Sequence, residues 1–128
     1  MIRVLLVDDQ KNVRRGLRMR LALEPDIEVV GEAPDGEAAV RMATLLAPSV
    51  VVMDLRMPGM DGFEATSILR AREVAPAIVA LSLYDDEQTR ARAAEAGAAV
   101  FVPKTCSHEY LIEAIRGAAG QPSATVPC

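Results

Sequence analysis

The feature that most constrains the fold is a regular alternation of short apolar runs with longer helix-like segments. Each run is almost continuously hydrophobic, which is the pattern of a parallel strand covered on both faces. The runs lie at Ile2–Val7, Ile27–Gly31, Val50–Met53, Ala77–Leu81 and Ala98–Phe101. Because a helix separates successive strands, each unit forms a right-handed crossover. The sequence therefore predicts an α/β fold with a doubly wound, five-stranded parallel sheet.

Side chains that cap helices mark where several of the helical segments begin. Asp35 directly precedes the second segment. Asp61 and Asp85 stand three residues before Glu64 and Gln88, which is the spacing of a capping box with Asp in the cap position. We therefore expect the second, third and fourth helices to start just after these acids.

The end of the chain has its own boundary signals. Gly97 ends the fourth helix, and Ser107 caps a last helix that runs from His108 to about Ala118. The residues beyond are mostly Gly, Pro and small side chains. We therefore expect one domain over 1–118 and a tail, or the start of a linker, over 119–128.

Composition excludes several classes of protein. The 128 residues are 51% hydrophobic and 25% charged, which suits a single globular domain with its own core. A net charge of −4 argues against nucleic-acid binding through the whole domain, and 3% aromatics without Trp provide no stacking platform for bases. The apolar run at the N-terminus is too short to span a membrane. Cys106 and Cys128 lack metal-binding spacing, so we expect reduced thiols in a cytoplasmic protein.

Acidic side chains follow two of the predicted strands. Asp8 and Asp9 come directly after the first strand, and Asp54 ends the third. Five such strands fit the flavodoxin-like order 2-1-3-4-5, which places strands 1 and 3 side by side and opens a ligand crevice at their carboxyl ends. Carboxylates gathered there repel one another, and a hard cation such as Mg²⁺ relieves that repulsion. Ser82 after strand 4 and Lys104 after strand 5 should reach the same crevice.

These residue types together favour phosphoryl transfer. Mg²⁺ held by Asp9 and Asp54, with Asp8 acting through water, keeps coordination positions open for phosphoryl oxygens. A carboxylate can attack phosphorus, and the charge on the transferred group is stabilised by a cation and a hydroxyl donor. Asp54 is therefore the predicted nucleophile, with Lys104 and Ser82 supplying the cation and the hydroxyl.

Each of these residues also has a simpler structural interpretation. Asp8 and Asp9 could cap the first helix, Ser82 could cap the helix that starts near Asp85, and Lys104 could be an ordinary surface lysine. The first helix carries five basic residues beside an apolar stripe. Most often such a run is a solvated face, and the alternative is a docking surface for a partner.

Four motifs, each after a predicted strand, carry a family resemblance. They are Leu5-Leu6-Val7-Asp8-Asp9, Val52-Met53-Asp54-Leu55-Arg56-Met57-Pro58-Gly59-Met60-Asp61-Gly62, Leu81-Ser82 and Phe101-Val102-Pro103-Lys104. Over roughly residues 2–118 the chain resembles the receiver domain of two-component response regulators. The sequences of these motifs are most similar to those of the NarL/FixJ subfamily.

The resemblance implies roles for the acids. Asp54 would accept a phosphoryl group from the phosphohistidine of a sensor histidine kinase, with Mg²⁺ required. Asp9 and Asp54 would be direct metal ligands, the main-chain carbonyl of Arg56 a third, and Asp8 would act through water. Such a domain is not a classical enzyme, since it catalyses its own phosphotransfer and the slow hydrolysis of its aspartyl phosphate.

The resemblance also implies a conformational switch. Ser82 and Lys104 would contact the phosphoryl oxygens, and Phe101 would turn inward as Ser82 moves. The expected output is homodimerisation, or control of transcription through a C-terminal helix-turn-helix domain that this chain does not contain.

Two rival functions fit the residues less well. A haloacid-dehalogenase-like phosphatase requires an Asp-x-Asp pair after its first strand, whereas Asp8 and Asp9 are adjacent and Arg56 lies two positions after Asp54. A receiver-like module that interacts without phosphorylation stays the alternative.

Overall fold

The structure is a computed structural model that describes residues 1–128. Five strands alternate with five helices. The strands are β1 (Ile2–Val7), β2 (Ile27–Ala33), β3 (Val50–Asp54), β4 (Ala77–Ser82) and β5 (Val100–Pro103). The helices are α1 (Lys11–Leu21), α2 (Gly36–Leu46), α3 (Gly62–Arg70), α4 (Glu87–Ala96) and α5 (His108–Ala118). None of these helices is both long and apolar enough to cross a membrane.

The sheet has the predicted topology. All strand pairs are parallel and the order is β2-β1-β3-β4-β5, which confirms the flavodoxin-like arrangement. The register aligns Asp54 with Leu81, and Ser82 with Pro103. Because the strands end level with one another, the residues that follow them meet at one edge of the sheet.

The predicted start of β5 is wrong by two residues. Ala98 donates its N–H to Ala93 of α4 at 3.0 Å, so Ala98 closes the helix rather than opening the strand. Ladder pairing with β4 starts at Val100. An apolar run cannot show this boundary, because Ala98 and Ala99 are equally compatible with a helix end and a strand.

Three of the predicted caps are confirmed. Asp35, Asp61 and Ser107 each accept a hydrogen bond from the backbone N–H three residues further on, at 2.8, 2.9 and 3.1 Å. Gly97 ends α4 in the left-handed region, with φ of +110°. The three cap bonds of Asp35, Asp61 and Ser107 satisfy N–H groups that the first turn of a helix otherwise leaves free.

The predicted cap of α4 is wrong by one residue. Asp86, not Asp85, accepts the Thr89 N–H at 2.8 Å, and a second carboxylate oxygen accepts the Thr89 hydroxyl at 2.9 Å. Asp85 instead binds the Arg90 guanidinium at 2.5 Å. Asp86 is favoured as the cap because Thr89 offers its carboxylate two donors.

The core lies on both faces of the sheet, as expected for a doubly wound fold. Successive residues of β1 point to opposite sides, so Leu6 packs towards α1 and α5 while Leu5 packs towards α2 and α3. Met53 is fully buried beside Leu5, Met57 is buried and Met60 packs against the same cluster. These methionines therefore serve core packing.

The prediction of reduced cysteines is wrong. Cys106 and Cys128 form a disulfide, with their Cα atoms 4.4 Å apart. The chain turns at Gly120, where φ is +80°, and the tail then runs back along α5. The pairing depends on this path of the tail, which the spacing of two cysteines cannot reveal.

Candidate functional site

Three carboxylates meet at the carboxyl edge of the sheet. Asp54 ends β3 and is 4% exposed, Asp8 follows β1 and is 1% exposed, and Asp9 beside it is exposed. One ligand oxygen from each lies within 4.8 Å of the others. The structure thus brings together the three acids predicted from the strand ends.

The loop after β3 depends on a glycine that sequence analysis named only as part of a motif. A Cβ on Gly62 would overlap the carbonyl oxygen of Asp54 and lie 2.7 Å from the Cα of Leu55. Gly62 donates its N–H to the carbonyl of Leu55 at 3.1 Å. The first turn of α3 therefore packs directly on the backbone of the acidic residue, and only glycine allows this approach.

Lys104 lies between the two buried acids. Its Nζ is 2.9 Å from an Asp8 oxygen and 3.4 Å from an Asp54 oxygen. Its backbone N–H donates to the carbonyl of Ser82 at 2.7 Å, which fixes the residue at the end of β5. Burial alone would lower the pKa of Lys104, but the bonds to both carboxylates outweigh burial and raise that pKa. The interpretation of Lys104 as a surface lysine is therefore excluded.

Asp54 is held in an environment that disfavours its charge. Burial, followed by the charge of Asp8, raises the pKa of Asp54 from 3.8 to about 6. The charge of Lys104 and the N–H of Arg56, 3.4 Å from Asp54 Oδ1, act in the opposite direction without cancelling that rise. The carboxylate is therefore incompletely compensated, and an added cation would stabilise it.

Ser82 is buried at the end of β4, next to the strand that ends in Asp54. Its Oγ accepts the N–H of Tyr84 at 3.0 Å, and Asp86 rather than Ser82 caps α4. The interpretation of Ser82 as the cap of that helix is thus wrong. Asp8 makes a similar local bond, since its Oδ1 accepts the N–H of Gln10 at 2.9 Å. That carboxylate supports the turn before α1 while its other oxygen binds Lys104.

An open cavity of about 190 Å³ lies over the acids. It has room for several waters or for one phosphoryl group. Its walls are formed by Asp9, Gln10, Asp54, Arg56, Leu83, Tyr84 and Lys104. Ser82 is not among the residues that form these walls, because its hydroxyl faces the Tyr84 amide.

Arg56 connects this cavity to α4. Its guanidinium donates to the Thr89 hydroxyl at 3.2 Å and lies over the rings of Phe63 and Tyr84, 5.6 and 5.1 Å from their centroids. Cation–π contact of this kind orients a long side chain at a surface. The side chain of Arg56 therefore borders the mouth of the cavity, while the metal-ligand role of its carbonyl stays a prediction.

Phe101 lies half-buried near the start of β5. It packs against a small buried cluster, and the Arg90 guanidinium covers its ring at 4.6 Å from the centroid. The cluster consists of Leu55, Phe63, Ala80 and Ala93. One side of the Phe101 ring thus packs on the core, and the rest is covered only by Arg90 or exposed to solvent.

The basic residues of α1 are only partly a solvated face. Arg14 and Arg18 bind the two carboxylate oxygens of Glu32 at 3.1 and 2.7 Å. Arg14 also donates to the carbonyl of Asp8 at 2.6 Å, so it ties α1 to the residue beside the acids. Arg14 therefore supports the turn that carries Asp8, whereas Arg18 binds Glu32.

Comparison with known proteins identifies the class. Residues 4–116 match the family model of the response regulator receiver domain. LiaR of Bacillus subtilis (strain 168) is 46% identical over 123 residues, which cover 95% of this chain and 58% of LiaR. NarL of Escherichia coli (strain K12) is 36% identical over 116 residues, which cover 91% of this chain and 54% of NarL. The chain belongs to the receiver domain family of two-component response regulators.

A solved structure supports the same assignment. The signal receiver domain of the putative response regulator NarL from Mycobacterium tuberculosis aligns with a TM-score of 0.89 and 33% identity. The alignment covers 93% of this chain and 96% of that one. Within the family the chain is of the NarL type. It spans little more than half the length of the two curated relatives.

Proposed function

We propose that Asp54 accepts a phosphoryl group from the phosphohistidine of a sensor histidine kinase. The observation that carries this proposal is the contact of Lys104 with a buried Asp54 whose pKa is raised to about 6. A structural acid would be stabilised by its surroundings, whereas this one faces an open cavity with its charge only partly compensated.

The acidic cluster suits Mg²⁺, because its donors are all oxygen and three carboxylates face a single lysine. Asp9 and Asp54 would bind the ion directly, Asp8 through water, and the carbonyl of Arg56 would be a further ligand. The ion would supply positive charge next to the transferred phosphoryl oxygens.

The side chains of the site then carry the transfer. A carboxylate oxygen of Asp54 attacks phosphorus as the bond to the histidine nitrogen of the kinase breaks, so an aspartyl phosphate forms. The histidine, protonated on its other ring nitrogen, keeps the electron pair of the broken bond and leaves as neutral imidazole. Lys104 shifts its contact from the Asp54 oxygen to a phosphoryl oxygen. Attack by water on the same phosphorus later breaks the bond to the Asp54 oxygen, which releases inorganic phosphate, returns the carboxylate and limits the lifetime of the signal.

The response to phosphate passes through Ser82 and Phe101. Ser82 exchanges the Tyr84 amide for a phosphoryl oxygen, and Phe101 turns towards the space that Ser82 leaves. Register pairing of Ala80 with Phe101 joins the strands that carry the two residues. A ligand present in only one state shifts the population of the protein towards that state.

Truncating Phe101 should separate phosphorylation from output. The Phe101→Ala protein is expected to take up phosphate at the rate of the unsubstituted protein, because the ring touches none of the acids. Its phosphate-dependent dimerisation should weaken by roughly tenfold, because the ring no longer links phosphorylation to the dimer-forming state. That factor corresponds to a loss of about 1.4 kcal/mol of coupling free energy between the two. Sedimentation velocity with beryllofluoride and Mg²⁺ measures this, and unaltered dimerisation would remove Phe101 from the relay.

The proposed output is control of transcription in the cytoplasm. The two curated relatives are named as a transcriptional regulatory protein and a nitrate/nitrite response regulator, and this chain corresponds to part of each. We propose that residues 1–118 form the receiver and that residues 119–128 start a linker to a DNA-binding helix-turn-helix domain. Phosphorylation would promote homodimerisation or release that domain.

Incubation with acetyl phosphate tests the proposed chemistry. With Mg²⁺ present, intact-mass spectrometry should show the gain of one phosphoryl group, and chelation of the metal should prevent it. A protein that stays unmodified with an active donor and Mg²⁺ would contradict the proposal. That result would favour an interaction module that works without phosphorylation.

A further inference from the structure

The disulfide joins two very different parts of the molecule. Cys106 is buried in the turn between β5 and α5, where its N–H donates to the carbonyl of Pro103 at 3.0 Å. Cys128 is exposed at the far end of the tail. The bond therefore closes a covalent loop that contains α5, and it fixes the tail to the turn that carries Lys104.

The tail covers a groove between β5 and α5. One wall of this groove is formed by Val100, Tyr110 and Ala114, and the other by residues 123–126. Beyond the turn at Gly120, two hydrogen bonds join the tail to α5: the N–H of Gln121 donates to the carbonyl of Arg116 at 2.9 Å, and the N–H of Ala124 donates to Glu113 Oε1 at 2.6 Å. The tail has no helix or strand beyond the turn at Gly120, and most of its side chains are exposed. The disulfide adds a covalent attachment at Cys128 to these two hydrogen bonds.

We propose that Cys106 and Cys128 form a redox modification site that fastens the tail over the β5–α5 groove when oxidised and releases it when reduced. In a reducing compartment such bonds are usually transient and serve redox sensing. This proposal does not depend on phosphorylation of Asp54.

The oxidant would be a hydroperoxide. The thiolate of exposed Cys128 attacks the terminal oxygen, the O–O bond breaks, and a sulfenic acid forms with release of water or an alcohol after protonation. The Cys106 sulfur then displaces the sulfenic oxygen as a second water, which completes a two-electron oxidation of two thiols to the disulfide. A dithiol reverses it by exchange and is itself oxidised to a disulfide.

The test compares the 128-residue chain after hydrogen peroxide with the same chain after dithiothreitol. Alkylation and mass spectrometry should find no free thiols in the first sample and two in the second. Amide hydrogen exchange over residues 121–126 should be at least about tenfold faster in the reduced protein, since the tail then opens without unfolding the domain.

A Cys128→Ser variant is the matched control. Its tail should exchange at the rate of the reduced protein under both conditions, while α3 and β3 keep their protection. Two free thiols after peroxide treatment would overturn the proposal. Equal exchange of the tail in the oxidised and reduced proteins, or a protected tail in Cys128→Ser, would overturn it as well.

Discussion

Asp54→Asn is expected to abolish phosphoryl uptake from acetyl phosphate. The amide has nearly the shape of the carboxylate, so the cavity and the packing of Gly62 on the Asp54 backbone should persist. It lacks the anionic oxygen that attacks phosphorus, and no other acid lies both buried and against this cavity. Intact-mass spectrometry with Mg²⁺ should show no gain at incubation times that fully modify the unsubstituted protein.

Asp35→Asn is the matched control for this substitution. Asp35 caps α2 and is not among the residues that line the cavity. Asn is as good a cap as Asp, so this variant should fold and accept phosphate normally. Uptake of a phosphoryl group by the Asp54→Asn protein would show that another side chain is the acceptor. Loss of uptake in both variants would point to a general defect in folding.

The local features of the fold could be predicted from sequence. Apolar runs between helical segments were sufficient for a five-stranded parallel sheet, and its order came from the flavodoxin-like arrangement that five such strands fit. Caps such as Asp61 were found because their bonds reach only three residues along the chain. The meeting of Asp8 and Asp54 followed from topology, because parallel strands that end level bring their last residues together. These inferences needed only short stretches of sequence together with the general rules for parallel α/β sheets.

The features that sequence analysis missed depend on tertiary geometry. Cys128 reaches Cys106 only because the tail reverses at Gly120, and nothing near either cysteine encodes that path. Gly62 is required by the approach of α3 to the backbone of Asp54, a contact between neighbouring elements rather than a local turn. The Asp–Gly pair at positions 61 and 62 could have signalled a close approach, since glycine at a helix start is a poor helix former.

The raised pKa of Asp54 also makes the metal-free protein less stable near neutral pH. An unfolded Asp carboxyl titrates at 3.8, and the folded one at about 6. Between these values the folded state binds more protons, so the free energy of unfolding falls as pH rises from about 4 to 6. The difference of about two pKa units corresponds to a penalty of about 3 kcal/mol that is fully present above pH 6.

Asp54→Asn should remove this penalty. With a chelator present, urea denaturation should show the variant to be more stable than the unsubstituted protein by about 2–3 kcal/mol at pH 7.5, and about equal to it at pH 4. Added Mg²⁺ should narrow the gap at pH 7.5, because it binds the folded site with both carboxylates intact more tightly. A gap that did not change with pH would show that folding leaves the pKa of Asp54 at its ordinary value. A variant that became the less stable protein as the pH rose would show that Lys104 outweighs burial and the charge of Asp8. The raised pKa on which the proposed acceptor role of Asp54 rests is therefore measurable without any phosphoryl donor, as a cost in folding that added Mg²⁺ is expected to offset.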